Sequence, residues 1–225
     1  MTFRGVKSFG AAAERPRVAR SGLARAGPVR LSDPMQAPPS TRFAPPATPA
    51  VAAGALPPLA RFVARDLVWR RVHWLGRRYE LRAGEEVVAR LAIPRFLHRR
   101  AEGETAEGRW IHRVHGWART RVEVLADEGA DPIAEFRSGW LDRAGSLRFR
   151  DGREFAWVPE GWIRPTWCFL DPRGVELVAM RSRLGFRGLG GDVVIQASAR
   201  EAPELGLLVT LGWFVLVLQA RRSAS

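Results

Sequence analysis

From about Arg65 to Ser198 the chain alternates apolar and polar residues with a period of two, and turn residues interrupt the pattern every eight to twelve positions. Tyr79 and Leu81 share one face of such a run; so do Val87, Ala89, Leu91 and Ile93, and again Thr120, Val122 and Val124. The positions between them are mostly Arg and Glu, the texture of antiparallel strands with one wet face. Twelve strands are predicted, near 66–74, 77–82, 86–93, 101–106, 109–115, 118–125, 132–137, 145–150, 153–158, 165–170, 175–182 and 192–198. Turn residues fall between them, among them Ala83-Gly84, Glu107-Gly108, Asp127-Glu128-Gly129, Asp151-Gly152 and Asp171-Pro172-Arg173-Gly174.

One hairpin fixes its own register. A two-residue Asp151-Gly152 turn would oppose Phe149 to Glu154 and Arg148 to Phe155. A three-residue loop, Arg150-Asp151-Gly152 with a left-handed glycine, puts Leu147, Phe149, Phe155 and Trp157 on one face. One face must be buried, so the odd loop is expected.

The period changes only at the end. Leu205 to Leu218 is apolar around a helix's whole circumference, with Pro203 and Glu204 before it and Arg221-Arg222 after it. A helix over 203–220 must then be buried on every side. Fourteen residues reach ~21 Å, short of the ~30 Å hydrocarbon core of a bilayer. The inside of a barrel fits better, because a closed sheet of twelve strands is too wide for its own side chains to fill. The expected fold is therefore all-β with one central helix: a twelve-stranded antiparallel barrel enclosing a hydrophobic C-terminal α-helix. Gly206 and Gly212 would allow close approach to inward Trp and Phe. A tail held in the bilayer by residues 203–222 is the alternative, and an apolar ligand beside residue 213 a third.

The segments Tyr79-Glu-Leu-Arg82, Val87-Val-Ala-Arg-Leu91, Ala106-Glu-Gly-Arg-Trp110, Pro203-Glu-Leu205 and Leu211-Gly-Trp-Phe214 resemble bacterial members of the tubby C-terminal-like group. That group includes LURP-one-related proteins and phospholipid scramblases. The resemblance covers roughly residues 65–220 and implies a twelve-stranded barrel around a hydrophobic C-terminal helix, with membrane and phospholipid binding as the associated function. The cysteine-rich segment of scramblases is missing here.

Composition divides the chain. Residues 1–58 hold ten of the sixteen prolines and no periodicity, so a disordered Pro/Ala/Arg-rich arm is expected there, ahead of a barrel domain over 59–222. The arm carries eight of the 36 basic residues and two of the 23 acids; the remainder, with 28 and 21, is still positive by seven. All but one of the basic residues (Lys7) are arginine, which reads as coding bias more than as a phosphate grip. A positive barrel favours anionic partners.

The N-terminal part has no apolar run of the length a secretory signal requires, and Cys168 has no second cysteine to pair with. A cytoplasmic chain, at most peripheral to a membrane, is expected.

No catalytic, cofactor or metal residues are assigned. His112 and His115 are three apart on a strand and so face opposite ways. Cys168 sits in the apolar run Trp167-Cys-Phe-Leu170, which suggests a buried, inert thiol. Gly185 to Gly191 reads as a mobile hairpin loop, and the acidic pairs Glu85-Glu86 and Asp127-Glu128 as solvated charge. The nine tryptophans are spread along the barrel, which suggests core and rim packing over base stacking and argues against nucleic acid as a partner. One segment stands out, Pro94-Arg-Phe-Leu-His-Arg-Arg100. Arg95, Arg99 and Arg100 flank two apolar residues, a composition suited to an anionic phospholipid interface.

Overall fold

The computed structural model describes residues 55–72, 77–94, 99–116, 120–138, 144–161, 165–185 and 188–223. Twelve strands follow one another: β1 (Leu67–Arg71), β2 (Arg78–Ala83), β3 (Glu86–Ala92), β4 (Arg100–Thr105), β5 (Gly108–His115), β6 (Thr120–Leu125), β7 (Ala134–Ser138), β8 (Gly145–Phe149), β9 (Glu154–Glu160), β10 (Thr166–Leu170), β11 (Glu176–Gly185) and β12 (Gly188–Ile195). Each pairs antiparallel with its chain neighbours, and β12 closes on β1 with Leu67 opposite Val193. An up-and-down barrel results, with no free edge for another chain to extend.

One helix, α1 (Leu205–Arg222), runs through the barrel, and its residues from Leu205 to Val217 are buried. The inward faces of the strands supply the other half of this core, including Trp69, Leu81, Phe136, Leu147, Trp157 and Phe169. A helix with its side chains is about 10–12 Å across, enough to occupy a lumen that twelve strands would leave open. The helix is four residues longer than the apolar run and so reaches ~27 Å. Its length and composition alone would suit a bilayer. Burial inside the barrel, not shortness, separates the two environments.

The wall narrows where small residues meet the helix. On β12, a Cβ at Gly191 would lie 2.7 Å from the Trp213 ring. On the helix itself, a Cβ at Gly212 would lie 2.9 Å from Met180 and 3.1 Å from Phe169. The expectation of a loop over 185–191 is corrected by this packing. Gly188 to Gly191 belongs to β12, paired with Gly185 back to Ser182 on β11. Gly191 is a wall position that the Trp213 ring requires to be small. The strand accordingly ends at Ile195, not at 198, and residues Ala197–Ala199 form a 3-10 turn.

The β8–β9 hairpin takes the odd loop. Leu147 pairs with Phe155 and Arg148 with Glu154, the amide of Phe149 donates to the Arg153 carbonyl at 2.9 Å, and Gly152 has φ +87°. Phe149 and Phe155 stack edge-on at 5.4 Å. At the other terminus, Leu59–Phe62 forms a 3-10 turn with Leu59 and Phe62 buried. Residues 1–54, most of the expected arm, lie outside the described residues.

The outer wall is a lattice of opposite charges. Glu80, Arg90, Glu104 and Arg109 alternate in charge as register partners across β2 to β5, as do Arg113 and Glu123 across β5 and β6, and Glu135, Arg148 and Glu154 across β7 to β9. Arg109 pairs with Glu104 at 2.7 Å, Arg121 with Glu135 at 2.9 Å and Arg148 with Glu154 at 2.9 Å. A hydrogen bond from Arg137 holds the Glu135 carboxyl below its usual range. Each exposed pair contributes only about 0.2–1 kcal/mol, but together they reject lipid from this wall. A membrane-spanning barrel has the reverse arrangement, apolar outside and polar within.

Candidate anion-binding end of the barrel

Because the strands alternate in direction, the connections fall into two sets, one at each end. The helix starts at the end formed by the short turns, where a Cβ at Gly206 would press on Thr105 and Trp110 and where Glu204 pairs with Arg153. It finishes at the other end, where Arg222 Nη1 donates to Thr120 Oγ1 at 2.7 Å. Cations suit this terminus, since the last carbonyls of a helix carry partial negative charge.

Arginine is crowded there. The half-buried Arg221 guanidinium has its proton affinity lowered by burial first and then by the charges of Arg77 and Arg71; its hydrogen bond to Tyr79 acts in the opposite direction. Like charges brought together in this way lower one another's proton affinity. Arg99, just before β4, is exposed at the same end.

Of the residues assigned from sequence, Arg95 lies outside the described residues, as do Phe96, Leu97 and His98. Arg100 is described and is already engaged. It donates to Glu128 at 2.5 Å and to Glu102 at 2.9 Å, and the bond to Glu128 raises its pKa. Of the three, only Arg99 is placed in the open. Arg71, Arg77, Arg221 and Arg222 were missed because nothing local in the sequence marks them; closure of the barrel brings the first turn and the last helical residues together.

A groove lies elsewhere, over β2 to β5, with a volume of about 630 Å³. Its lining includes Arg78, Arg90, Arg100 and Arg109 against Glu80, Glu102, Glu104, Asp127 and Glu128. Acids outnumber arginines, so it offers an anion no net attraction.

The two histidines face opposite ways, as their spacing on β5 requires. His115 is on the outer wall with Nε2 2.8 Å from Glu123. His112 points inward and is completely buried, stacked on Phe214 at 5.9 Å with Nε2 3.2 Å from Thr210 Oγ1. The Thr210 hydroxyl lies 3.1 Å from the Gly206 carbonyl and 3.2 Å from that of Leu207. If it donates there, His112 donates through Nε2 and leaves Nδ1, which has no partner among the described residues.

Burial pushes the His112 pKa down from 6.5 to about 3. The neutral form is the one that folds, so its stability is complete above about pH 6.5 and is lost as pH falls toward 3. At about 1.4 kcal/mol per unit the loss is on the order of 5 kcal/mol. His112→Leu is expected to flatten that part of the acid unfolding profile; urea midpoints measured from pH 7 to pH 4 for both proteins check it, and parallel profiles would refute it.

Cys168 is buried although its neighbours Trp167 and Phe169 take the inward face of β10. It lies between Glu160 on β9 and Glu176 on β11, with the thiol and carboxylate oxygens within 4.8 Å of one another. Burial, then Glu176 and Glu160, pushes the thiol pKa up to about 12, so at neutral pH it is a protonated, poor nucleophile. The donor set could hold a cation, and Gln196 Nε2 already donates to Glu176 at 2.5 Å. The sequence shows none of this, because three strands supply one residue each.

Among the tryptophans, Trp69, Trp157, Trp167 and Trp213 are in the core and Trp110 packs against it. Trp74, Trp117, Trp140 and Trp162 lie outside the described residues. No family model matches the chain, and neither a curated protein nor a solved structure matches it.

Proposed function

We propose that this barrel is a non-enzymatic binding module that docks on anionic phospholipid membrane surfaces from the cytoplasmic side. The observation that carries the reading is the crowding of Arg71, Arg77 and Arg221 where the helix ends. A rim where several arginines gather is where a multivalent anionic surface is attracted most strongly. The resemblance to the tubby C-terminal-like group, whose better-known members associate with phospholipids, supports the same reading.

Cosedimentation of the full chain with vesicles of phosphatidylserine and phosphatidylcholine, against phosphatidylcholine alone, tests it. Binding is expected to the anionic vesicles only, weakening as salt rises past the point where screening shortens to a few ångströms. Equal binding to both, or to neither, refutes it. The tail-anchor alternative draws on the length and hydropathy of Leu205–Arg222, but the helix would have to leave the barrel to span a bilayer. Carbonate extraction separates the two: a docked barrel washes off, an anchored tail stays.

A further inference from the structure

We propose that Glu160, Cys168 and Glu176 form a site for a thiophilic divalent cation, Zn²⁺, on the outer wall of the barrel, independently of the phospholipid reading above. Cys168 takes the outward face of β10, since Trp167 and Phe169 on either side of it are core residues. It stands opposite Val158 on β9 and Ala179 on β11. Glu160 is the next outward position after Val158, a diagonal neighbour within reach of a long side chain. Glu176 reaches the same spot through an irregularity in the sheet. The register between β10 and β11 slips after Phe169, so that Leu170 is opposite Glu176 and not Leu177. Regular alternation from Val178, a core residue, would aim Glu176 at the lumen; the bulge turns its carboxylate outward.

One sulfur and two carboxylate oxygens are thereby gathered within 4.8 Å of one another. Elsewhere on the wall a carboxylate meets a guanidinium, as Glu104 does Arg109 and Glu154 does Arg148. Here two carboxylates converge on a thiol, while Arg181, also outward on β11, donates to Thr166 Oγ1 at 2.9 and 3.2 Å. Cys168 is completely buried, so the donor at the centre of the cluster is shut off from solvent. It has a single weak proton to share between two anionic acceptors. A cation in the same place is attracted to both carboxylates at once.

The donor chemistry selects the ion. Thiolate sulfur suits Zn²⁺, whereas Ca²⁺ and Mg²⁺ take oxygen ligands in larger number. In a tetrahedral zinc site with bonds of about 2.0–2.3 Å the ligand atoms are about 3.3–3.6 Å apart, so the cluster closes by a shift of roughly 1 Å in flexible glutamate side chains. Gln196 Nε2 already donates to Glu176 Oε1 at 2.5 Å, the kind of outer contact that orients a ligating carboxylate. Glu160 is exposed, which leaves the fourth position open to water. As the sulfur–zinc bond forms, the thiol proton is released to solvent. The bound ion ties β9, β10 and β11 together.

Cys168 is the only cysteine in the chain, so a thiolate signal identifies its source. The full chain, stripped with chelator, is titrated with Co²⁺ as a spectroscopic probe and then with Zn²⁺. One equivalent of Co²⁺ is expected to produce a sulfur-to-cobalt charge-transfer band that Zn²⁺ abolishes and excess Ca²⁺ or Mg²⁺ does not. Glu160→Gln alters an exposed ligand and is expected to weaken Zn²⁺ by more than about tenfold, with metal-free thermal unfolding matched to the parent. His115→Ala removes the exposed histidine beside Glu123, where zinc would bind adventitiously, and is expected to leave the affinity unchanged. Zn²⁺ is also expected to raise the unfolding temperature of the parent and of His115→Ala more than that of Glu160→Gln. Absence of the charge-transfer band, or a Zn²⁺ affinity that Glu160→Gln leaves unchanged, overturns the proposal.

Discussion

Ending the chain after Glu204 is expected to leave a protein that does not fold. The deletion removes α1, ten of whose buried residues are large and apolar: Leu205, Leu207, Leu208, Val209, Leu211, Trp213, Phe214, Val215, Leu216 and Val217. Burying a side chain of this size stabilises by about 1.5–3 kcal/mol, so the set contributes on the order of 15–30 kcal/mol. A domain's net stability is only about 5–15 kcal/mol. The twelve strands would also face an unfilled lumen, since their inward residues reach a helix and not each other across the barrel. Loss of the cooperative urea transition and of near-ultraviolet circular dichroism checks this. A truncated chain that still unfolds cooperatively would mean that the sheet closes to a narrower barrel by itself.

Trp213→Ala is expected to be the costliest single truncation, at about 3–5 kcal/mol. The indole is fully buried and lies parallel to Trp69, with centroids 5.6 Å apart and planes 9° from each other. Tyr79 meets it edge-on at 5.8 Å, and Gly191 leaves the wall open for it. Backbone hydrogen bonds hold these neighbours in strands, so they cannot collapse into the space an alanine would leave. Trp213→Phe is expected to cost much less. It keeps most of the ring and removes an indole N–H that has no partner among the described residues. Urea titrations of the two variants measure the difference; an alanine variant within 1 kcal/mol of the parent would show that the lumen is adaptable and that the helix is not wedged by this ring.

Both expectations depend on features with different visibility in the sequence. The strands were legible because a half-buried strand must alternate, and twelve runs do so with turn residues between them. The odd β8–β9 loop was legible for the same reason, since a slip of one residue would have exposed Leu147 and Phe155. The opposite facing of His112 and His115 followed from their spacing alone. What His112 meets did not: Thr210 is 98 positions away and is brought there by the helix passing through the lumen.

Charge and glycine were the weakest guides. Arg100 belonged to a segment that looked basic and available, yet Glu128 from the next long turn, 28 positions on, occupies it. The Gly188 to Gly191 run looked like a loop because glycine is ambiguous between flexibility and lack of bulk. Only the Trp213 ring shows that at Gly191 bulk is the operative property. The candidate site was missed for a related reason. Arg71, Arg77 and Arg221 are ordinary arginines until β1, β2 and the end of α1 meet at one rim.

Local periodicity and the demand that a wholly apolar helix be covered were enough, by themselves, to determine a twelve-stranded sheet and a buried C-terminal helix. Those are consequences of burial, which each segment's own side chains express. Closure decided the rest: which residues share an end, which arginines are neutralised and which crowd together. Those relations join positions far apart in the chain, and electrostatic interaction depends on distance in space, not on separation in sequence.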